Sequence, residues 1–250
     1  MTDPVLHVER DDDHIAVVVI DRPPVNALSA PHWVEMAELV SSLDSDPTIR
    51  AVVIAGASAS FCAGANVRDL RAGGTGPAML ATVAGACRAV RQLSRPVIAA
   101  VDGGAHGGGL ELMLACDIRV AGARATFSAS SVNMGLIASV SSLIDTIGGA
   151  RARRMLLTGE PIGAEAAHEW GLVTDLSGTP RSRAVELAQL IASKPPLSVA
   201  AIKAACRESG PGTERDRLVT ESYERLVATA DHAEAVLAFL EKRPGRYEEK

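Results

Sequence analysis

The sequence has few cysteines, no excess of positive charge and no apolar run long enough to cross a membrane. The cysteines are far apart and form no C-x-x-C pair, which argues against a disulfide framework and a zinc site; they are Cys62, Cys87, Cys116 and Cys206. A formal net charge of -5 gives no general attraction to nucleic acid or to an anionic membrane. The N-terminal stretch MTDPVLHVERDDDH lacks the charged and then apolar pattern of a secretion signal. These absences predict a cytoplasmic protein that binds neither nucleic acid nor membrane.

The composition is that of a soluble globular protein. Of 250 residues, 47% are hydrophobic and 22% are charged, which supports a substantial core in one large domain, with or without an appendage. Short β-branched runs at 14–21 and 50–57 predict buried strands, and helical spacing of apolar residues after Ser29 predicts a helix between them. A second helix is predicted over 77–93 and a strand over 95–103, so the β-α-β unit repeats in type.

The pattern changes after residue 180. Residues 181–243 contain four helical stretches and no strand pattern, so residues 1–180 are interpreted as the core and residues 181–250 as a helical region. Apolar stripes around Tyr223 and Phe239 must be covered by the core or by another subunit.

The segment GGAHGGGLE, residues 103–111, places five glycines in seven positions before a predicted helix over 109–117. Exposed amide donors at a helix N-terminus, with no side chains in the way, suit a partial negative charge. The alternative is tight packing of helix against sheet, which glycine also permits. A second bare turn, SFCAGANVRDL at 60–70, follows another predicted strand. Two such turns could converge on one oxygen, as an oxyanion hole requires.

Other glycine-rich sites do not fit this sequence. The cluster has neither the G-x-G-x-x-G spacing of a dinucleotide site nor the G-K-[ST] of a phosphate loop. There is also no G-x-S-x-G, so Ser128, Ser130 and Ser131 are not at a nucleophile elbow.

Three segments resemble the enoyl-CoA hydratase/isomerase (crotonase) superfamily: FCAGANVRDL, AVDGGAHGGGLELMLACDIRVAG and LLTGEPIGAEAAHEWGLVTDL. The resemblance covers most of the chain, from VVVIDRPPVNALS to AFLEKRPGR. It implies an α/β fold, a crotonase-like spiral of β-β-α units with a C-terminal helical trimerisation region. It also implies an acyl-CoA thioester substrate, a homotrimer or dimer of trimers, and no metal or separate cofactor, since coenzyme A enters with the substrate.

The resemblance assigns roles to backbone groups. The amides of Ala65 and Gly108 would hold the thioester oxygen as it becomes an enolate. The coenzyme A pocket would be lined by Arg22, Val25, Ala27, Ala63, Gly64, Ala65, Asn66, Val67 and Arg68. Arg22 is expected to meet a phosphate, or else to be an ordinary solvated surface arginine.

The catalytic carboxylates agree with the family only in part. Glu111 aligns with the first of two glutamates that hydratases of the family use, and is expected to act on the water that adds to Cβ. The second glutamate position, 20 residues later, is Ser131. The following segment, GLIASVSSLIDTIGG, also lacks the P-G-A-G-G turn of the family. The floor of the acyl pocket is therefore expected to be reshaped.

Several nearby groups are candidates to replace the missing acid, each with a structural alternative. His106 could titrate near neutral pH or be a buried structural histidine. Asp69 and Asp145 are more typical of solvated or capping carboxylates, and Asn133 and Ser139 could order a water.

The resemblance thus implies an enzyme that processes an acyl-CoA through an enolate, and the first hypothesis is hydration of a 2-enoyl-CoA with Glu111 as the main acid and base. Isomerisation, decarboxylation and thioester hydrolysis are the alternative enolate reactions. A non-catalytic acyl-CoA binding protein is the alternative of another class, and Ser131 is the feature that favours it.

Overall fold

The computed structural model describes residues 4–10, 14–57, 59–68, 76–207 and 213–249. The strands are β1 (Leu6–Arg10), β2 (Ile15–Ile20), β3 (Ala27–Leu28), β4 (Ala51–Gly56), β5 (Ser60–Cys62), β6 (Gly64–Ala65), β7 (Val97–Val101), β8 (Gly104–His106), β9 (Ile118–Ala121), β10 (Thr126–Ser128), β11 (Ile162–Gly163) and β12 (Asp175–Leu176). The helices are α1 (Ala30–Asp44), α2 (Gly76–Gln92), α3 (Gly108–Ala115), α4 (Val140–Ile147), α5 (Gly149–Thr158), α6 (Ala164–Glu169), α7 (Pro180–Ala192), α8 (Pro196–Arg207), α9 (Thr213–Val227) and α10 (Ala230–Glu241). A short 3₁₀ helix spans Ser130–Met134.

The largest sheet in the described residues has six strands in the order β1-β2-β4-β7-β9-β12. Strand β1 is antiparallel to β2, and the remaining neighbours are parallel. Strands β2 and β7 are buried at every residue, because both faces of a parallel sheet are covered. Helix α7 covers part of one face through Ala184 and Ala188.

A second sheet among the described residues has the strand order β11-β10-β8-β5, and β3 pairs separately with β6. Strand β8 corrects the sequence prediction, because part of the glycine cluster is a strand and not a turn. Gly104 pairs with Ser60 on one side and with Thr126 on the other. These partners are distant in sequence, so the pairing leaves no local hydrophobic pattern.

The longer predicted elements are confirmed. Strands β2, β4 and β7 and helices α1, α2 and α3 lie within two residues of their expected bounds. Helices α7 to α10 occupy the predicted helical region, with no strand in its described residues. The division into residues 1–180 and 181–250 stays a prediction. No helix among the described residues is long and apolar enough to cross a membrane.

Candidate active site

The two bare turns of the sequence meet in the structure at Gly64. This residue has a φ of +89°, and a Cβ placed on it would lie 2.7 Å from the backbone nitrogen of Gly108 and 2.8 Å from the carbonyl oxygen of His106. A left-handed conformation and a contact this short both exclude a side chain. The turn at 62–65 and the start of α3 are therefore in direct backbone contact.

A second backbone contact joins the same two segments at Gly109. A Cβ on Gly109 would lie 1.9 Å from the carbonyl oxygen of Cys62. The Cys62 thiol also accepts a hydrogen bond from the Gly64 amide at 3.4 Å, and burial raises the pKa of that thiol to about 12. Ala65 and Gly108, the residues expected to supply the oxyanion amides, thus lie on two segments held together at two points.

The residues expected to line the coenzyme A pocket are brought together by short β pairing. Ala27 pairs with Gly64, and the Ala63 amide donates to the Val25 carbonyl oxygen at 3.0 Å. The Arg22 guanidinium donates to the carbonyl oxygen of Ala27. Arg22 is therefore half-buried and anchored to the backbone at one guanidinium nitrogen, and its expected contact with a phosphate stays a prediction.

The remaining members of this set follow the same pairing. The Asn66 amide donates to the Leu28 carbonyl oxygen at 2.9 Å, and the Asn66 side chain accepts from the Arg68 amide at 3.2 Å. Val67 lies between them and is exposed.

Glu111 lies in the first turn of α3, and its amide donates to the carbonyl oxygen of Gly107, the N-cap residue. Its half-buried carboxylate accepts a hydrogen bond at Oε1 from the Ser139 amide, at 3.0 Å. Ser139 has a φ of 60° and is the N-cap of α4. Burial raises the pKa of the Cys87 thiol, and the charge of Glu111 adds to that rise. The carboxylate of this α3 residue is thus held by the N-terminus of α4 and lies near Cys87 of α2.

Ser131 lies in the 3₁₀ helix and is half-buried beside the start of α3. Its hydroxyl oxygen would lie 3.9 Å from a Cβ on Gly107. Ser131 and Ala138 also line a cavity of about 460 Å³ whose other walls are mainly aliphatic. They are Ala129, Val132, Leu136, Ile137, Val140, Ile144, Leu156 and Leu157, with Arg153. The position of the second glutamate therefore opens on an apolar cavity and carries no carboxylate.

The groups considered as replacement acids have other surroundings. Asp145 is exposed on α4, as expected for a solvated carboxylate. The Asn133 side chain packs on Gly159, with Oδ1 2.8 Å from a Cβ placed there. Ser139 contacts Glu111 through its amide, and Asp69 lies outside the described residues.

His106 has the surroundings of a structural histidine. Its Nε2 lies 3.1 Å from the Thr126 hydroxyl oxygen, and its ring covers Gly104. Burial lowers its pKa, which favours the neutral ring at pH 7.

Sequence reasoning did not identify Asn26, which joins the segment at residues 22–26 to strand β5. Asn26 is fully buried with a φ of 56°. Its side-chain Nδ2 donates a hydrogen bond to the Ser60 carbonyl oxygen at 2.7 Å, and its Oδ1 accepts one from the Arg22 backbone amide at 2.8 Å. The asparagine after a proline-rich turn was the available signal, because asparagine tolerates a left-handed backbone.

Comparisons with known proteins identify the family of the chain. The chain is similar to the carnitinyl-CoA dehydratase of Escherichia coli, with 33% identity over 95% of this chain and 96% of that protein. It is 32% identical to the 1,2-epoxyphenylacetyl-CoA isomerase of Escherichia coli, over 96% of each chain. The crystal structure of an enoyl-CoA hydratase from Bacillus anthracis matches with a TM-score of 0.93 and 30% identity, over 99% of this chain and all (100%) of that chain. A model of the enoyl-CoA hydratase/isomerase family matches residues 10–250. The chain therefore belongs to the enoyl-CoA hydratase/isomerase family.

Proposed function

We propose that this protein is an acyl-CoA-processing enzyme that hydrates 2-enoyl-CoA thioesters, with Glu111 as its acid and base. The observation that carries the proposal is the position of the Glu111 carboxylate, in the first turn of the helix that begins at Gly108. The carboxylate is tied to the Ser139 amide at one oxygen. The other oxygen, Oε2, accepts no hydrogen bond from a described residue, and we assign the attacking water to it.

The reaction begins when the water oxygen bonds to Cβ of the substrate. The electron pair of the double bond shifts toward the thioester oxygen, which becomes an enolate oxygen. The amides of Ala65 and Gly108 donate to that oxygen, and loss of one such donor costs about 3 to 4 kcal/mol of transition-state stabilisation.

Glu111 moves the proton. It accepts one proton from the attacking water and returns that proton to Cα as the enolate collapses, so the sum is the addition of one water. A single carboxylate serves both steps because Ser131 is a poor proton donor at its usual pKa. The fixed Oε1 keeps the carboxylate from rotating away between the two transfers.

Two further assignments accompany this reaction. The turn residues Arg22, Val25, Ala27 and 63–68 bind the coenzyme A portion of the substrate. The exposed apolar side chains of the C-terminal helices, such as Tyr223 at 70% and Phe239 at 83% exposure, are covered in a homotrimer or dimer of trimers. Light scattering during gel filtration measures that assembly.

The experiment incubates the protein with crotonyl-CoA and longer 2-enoyl-CoAs and follows the loss of enone absorbance. We expect Glu111→Gln to lower kcat by about 10²- to 10⁴-fold, the usual contribution of a general acid or base. Asp145→Asn is the matched control, because it removes an exposed carboxylate from α4. Equal rates for wild type and Glu111→Gln contradict the role of Glu111.

The second candidate is a protein that binds acyl-CoA without converting it, and the absence of a carboxylate at Ser131 favours it. Calorimetric binding of a saturated acyl-CoA, combined with no turnover of any enoyl-CoA, supports this candidate against the hydratase. If the absorbance falls without incorporation of water into the product, another enolate reaction such as isomerisation replaces hydration.

A further inference from the structure

Trp33 packs directly against the residue proposed to supply an oxyanion amide. It is fully buried on α1, and its Cζ2 would lie 3.3 Å from a Cβ placed on Gly108. Val83 Cγ1 at 3.4 Å and Gly64 Cα at 3.5 Å surround the same point. Gly108 is thus enclosed by one aromatic ring, one aliphatic side chain and one backbone segment.

The Trp33 indole lies beside Gly108 although its N–H group makes no hydrogen bond to a described residue. Its indole Nε1 is buried and has no hydrogen-bond partner in the part of the chain that the structure describes. Buried donors without partners destabilise a fold, and each one calls for an explanation. Phenylalanine or leucine would fill part of the volume without that donor. Neither has the benzo ring to which Cζ2 belongs, the part of tryptophan that reaches Gly108.

We propose that Trp33 is a positioning residue that sets the location of the Gly108 amide. This inference rests on the proposed oxyanion role of Gly108. The indole is rigid and closely packed on the glycine, so it limits movement of the first residue of α3 toward α1. Small displacements of a group that acts in the transition state lower the rate strongly, even when substrate still binds.

The test compares Trp33→Phe and Trp33→Leu with Val40→Ala, a control on the same buried face of α1. For each protein kcat and KM are measured with an enoyl-CoA, and Kd with a saturated acyl-CoA. A cinnamoyl-CoA thioester gives a second readout, recorded by stopped flow before its double bond is hydrated, because its absorbance moves to longer wavelength when its carbonyl oxygen accepts hydrogen bonds. Denaturant unfolding gives the folded fraction to which each rate is normalised.

We expect Trp33→Leu to lower kcat by about ten- to a hundredfold, part of the effect of losing an oxyanion donor, with Kd nearly unchanged. We expect Trp33→Phe to lie between Trp33→Leu and wild type, and both variants to reduce the absorbance shift of the bound cinnamoyl-CoA. Val40→Ala should lose stability and keep the normalised kcat and the shift.

Two outcomes overturn the inference in distinguishable ways. Suppose that wild type shifts the cinnamoyl-CoA spectrum, and that the Trp33 variants have the same shift and the same normalised kcat as wild type or Val40→Ala. Gly108 is then positioned without Trp33. If wild type itself neither converts enoyl-CoA nor shifts the spectrum, the oxyanion assignment fails, and the role of Trp33 fails with it.

Discussion

The glycine wall of the candidate site, residues 62–65 and 106–109, differs from the neighbouring wall, residues 130–139, in what determines its shape. In the glycine wall, backbone atoms of two segments lie so close that a Cβ on Gly109 would be 1.9 Å from a carbonyl oxygen. The neighbouring wall is a short 3₁₀ helix and a turn with large exposed apolar side chains, including Ile137 at 78% exposure. Side chains there can change without moving the backbone contacts. A fold of this kind can therefore keep the backbone geometry proposed for the oxyanion hole while the side chains at residues 130–139 vary.

The largest expected effect comes from breaking the glycine wall with Gly109→Ala. The new Cβ would force α3 away from Cys62. We expect kcat to fall by at least about a hundredfold, as for a lost oxyanion donor, and the free energy of unfolding to fall by about 1–3 kcal/mol. Enzyme kinetics and denaturant unfolding measure the two effects.

Gly85→Ala is the matched control for that substitution. Gly85 lies within α2, and a Cβ placed on it meets nothing within 4 Å. Alanine in a helix interior should raise the free energy of unfolding by about 0.5–1 kcal/mol relative to glycine and leave kcat unchanged. Wild-type activity in Gly109→Ala would show that the contact between the two segments is dispensable.

The second prediction concerns the cavity beside Ser131. Its volume of about 460 Å³ and its aliphatic walls favour acyl chains longer than crotonyl. Each buried methylene contributes about 0.8 kcal/mol, so kcat/KM should rise by about fourfold per methylene until the cavity is filled. A series of 2-enoyl-CoAs measures this slope.

Ile144→Asn should flatten the slope, because Ile144 lines the cavity. Leu190→Asn should not, because Leu190 is an exposed residue of α7 outside the cavity walls. If crotonyl-CoA has the highest kcat/KM of the series, the acyl chain does not bind in this cavity.

The sequence predicts those elements whose conformation depends on residues close to one another in the chain. The β-branched runs of β2, β4 and β7 and the apolar spacing of α1 predict the elements that form the main sheet and its cover. The glycine-rich turns predict where two backbone segments approach too closely for a side chain. The resemblance predicts the family, which the comparisons confirm. The roles that it assigns to Ala65, Gly108 and Glu111 stay predictions.

Features formed by residues far apart in the chain could not be read from the sequence. Strand β8 consists of Gly104, Ala105 and His106, which have no strand pattern until β5 and β10 pair with it. The Ser139 amide meets Glu111 across 28 residues, and Trp33 reaches Gly108 from another helix. Trp33 fits the apolar stripe of α1, so helical spacing alone indicates an ordinary core residue.

The third prediction adds a carboxylate to the neighbouring wall with Ser131→Glu. The new side chain would lie beside Gly107 and at the cavity, where it could donate a proton to Cα. We expect hydration kcat to rise by about tenfold, a fraction of the usual contribution of a general acid. Val132→Glu, which adds the same charge one residue along, should not raise it. A Ser131→Glu enzyme that is slower than wild type would indicate that Glu111 alone fits the reaction in this chain.

The smallest expected effect is a pH dependence located on the glycine wall at His106. Burial lowers the folded-state pKa of His106, whereas an unfolded histidine titrates near its ordinary value. Below about pH 6.5 the unfolded chain therefore binds the proton more readily than the folded chain, and the free energy of unfolding falls as the pH falls. In His106→Gln, a neutral side chain that can still hydrogen bond to Thr126, this part of the slope should disappear. Denaturant unfolding of both proteins between pH 7 and pH 5 measures the difference in slope. Identical slopes would mean that His106 binds its proton equally readily in the folded and the unfolded chain.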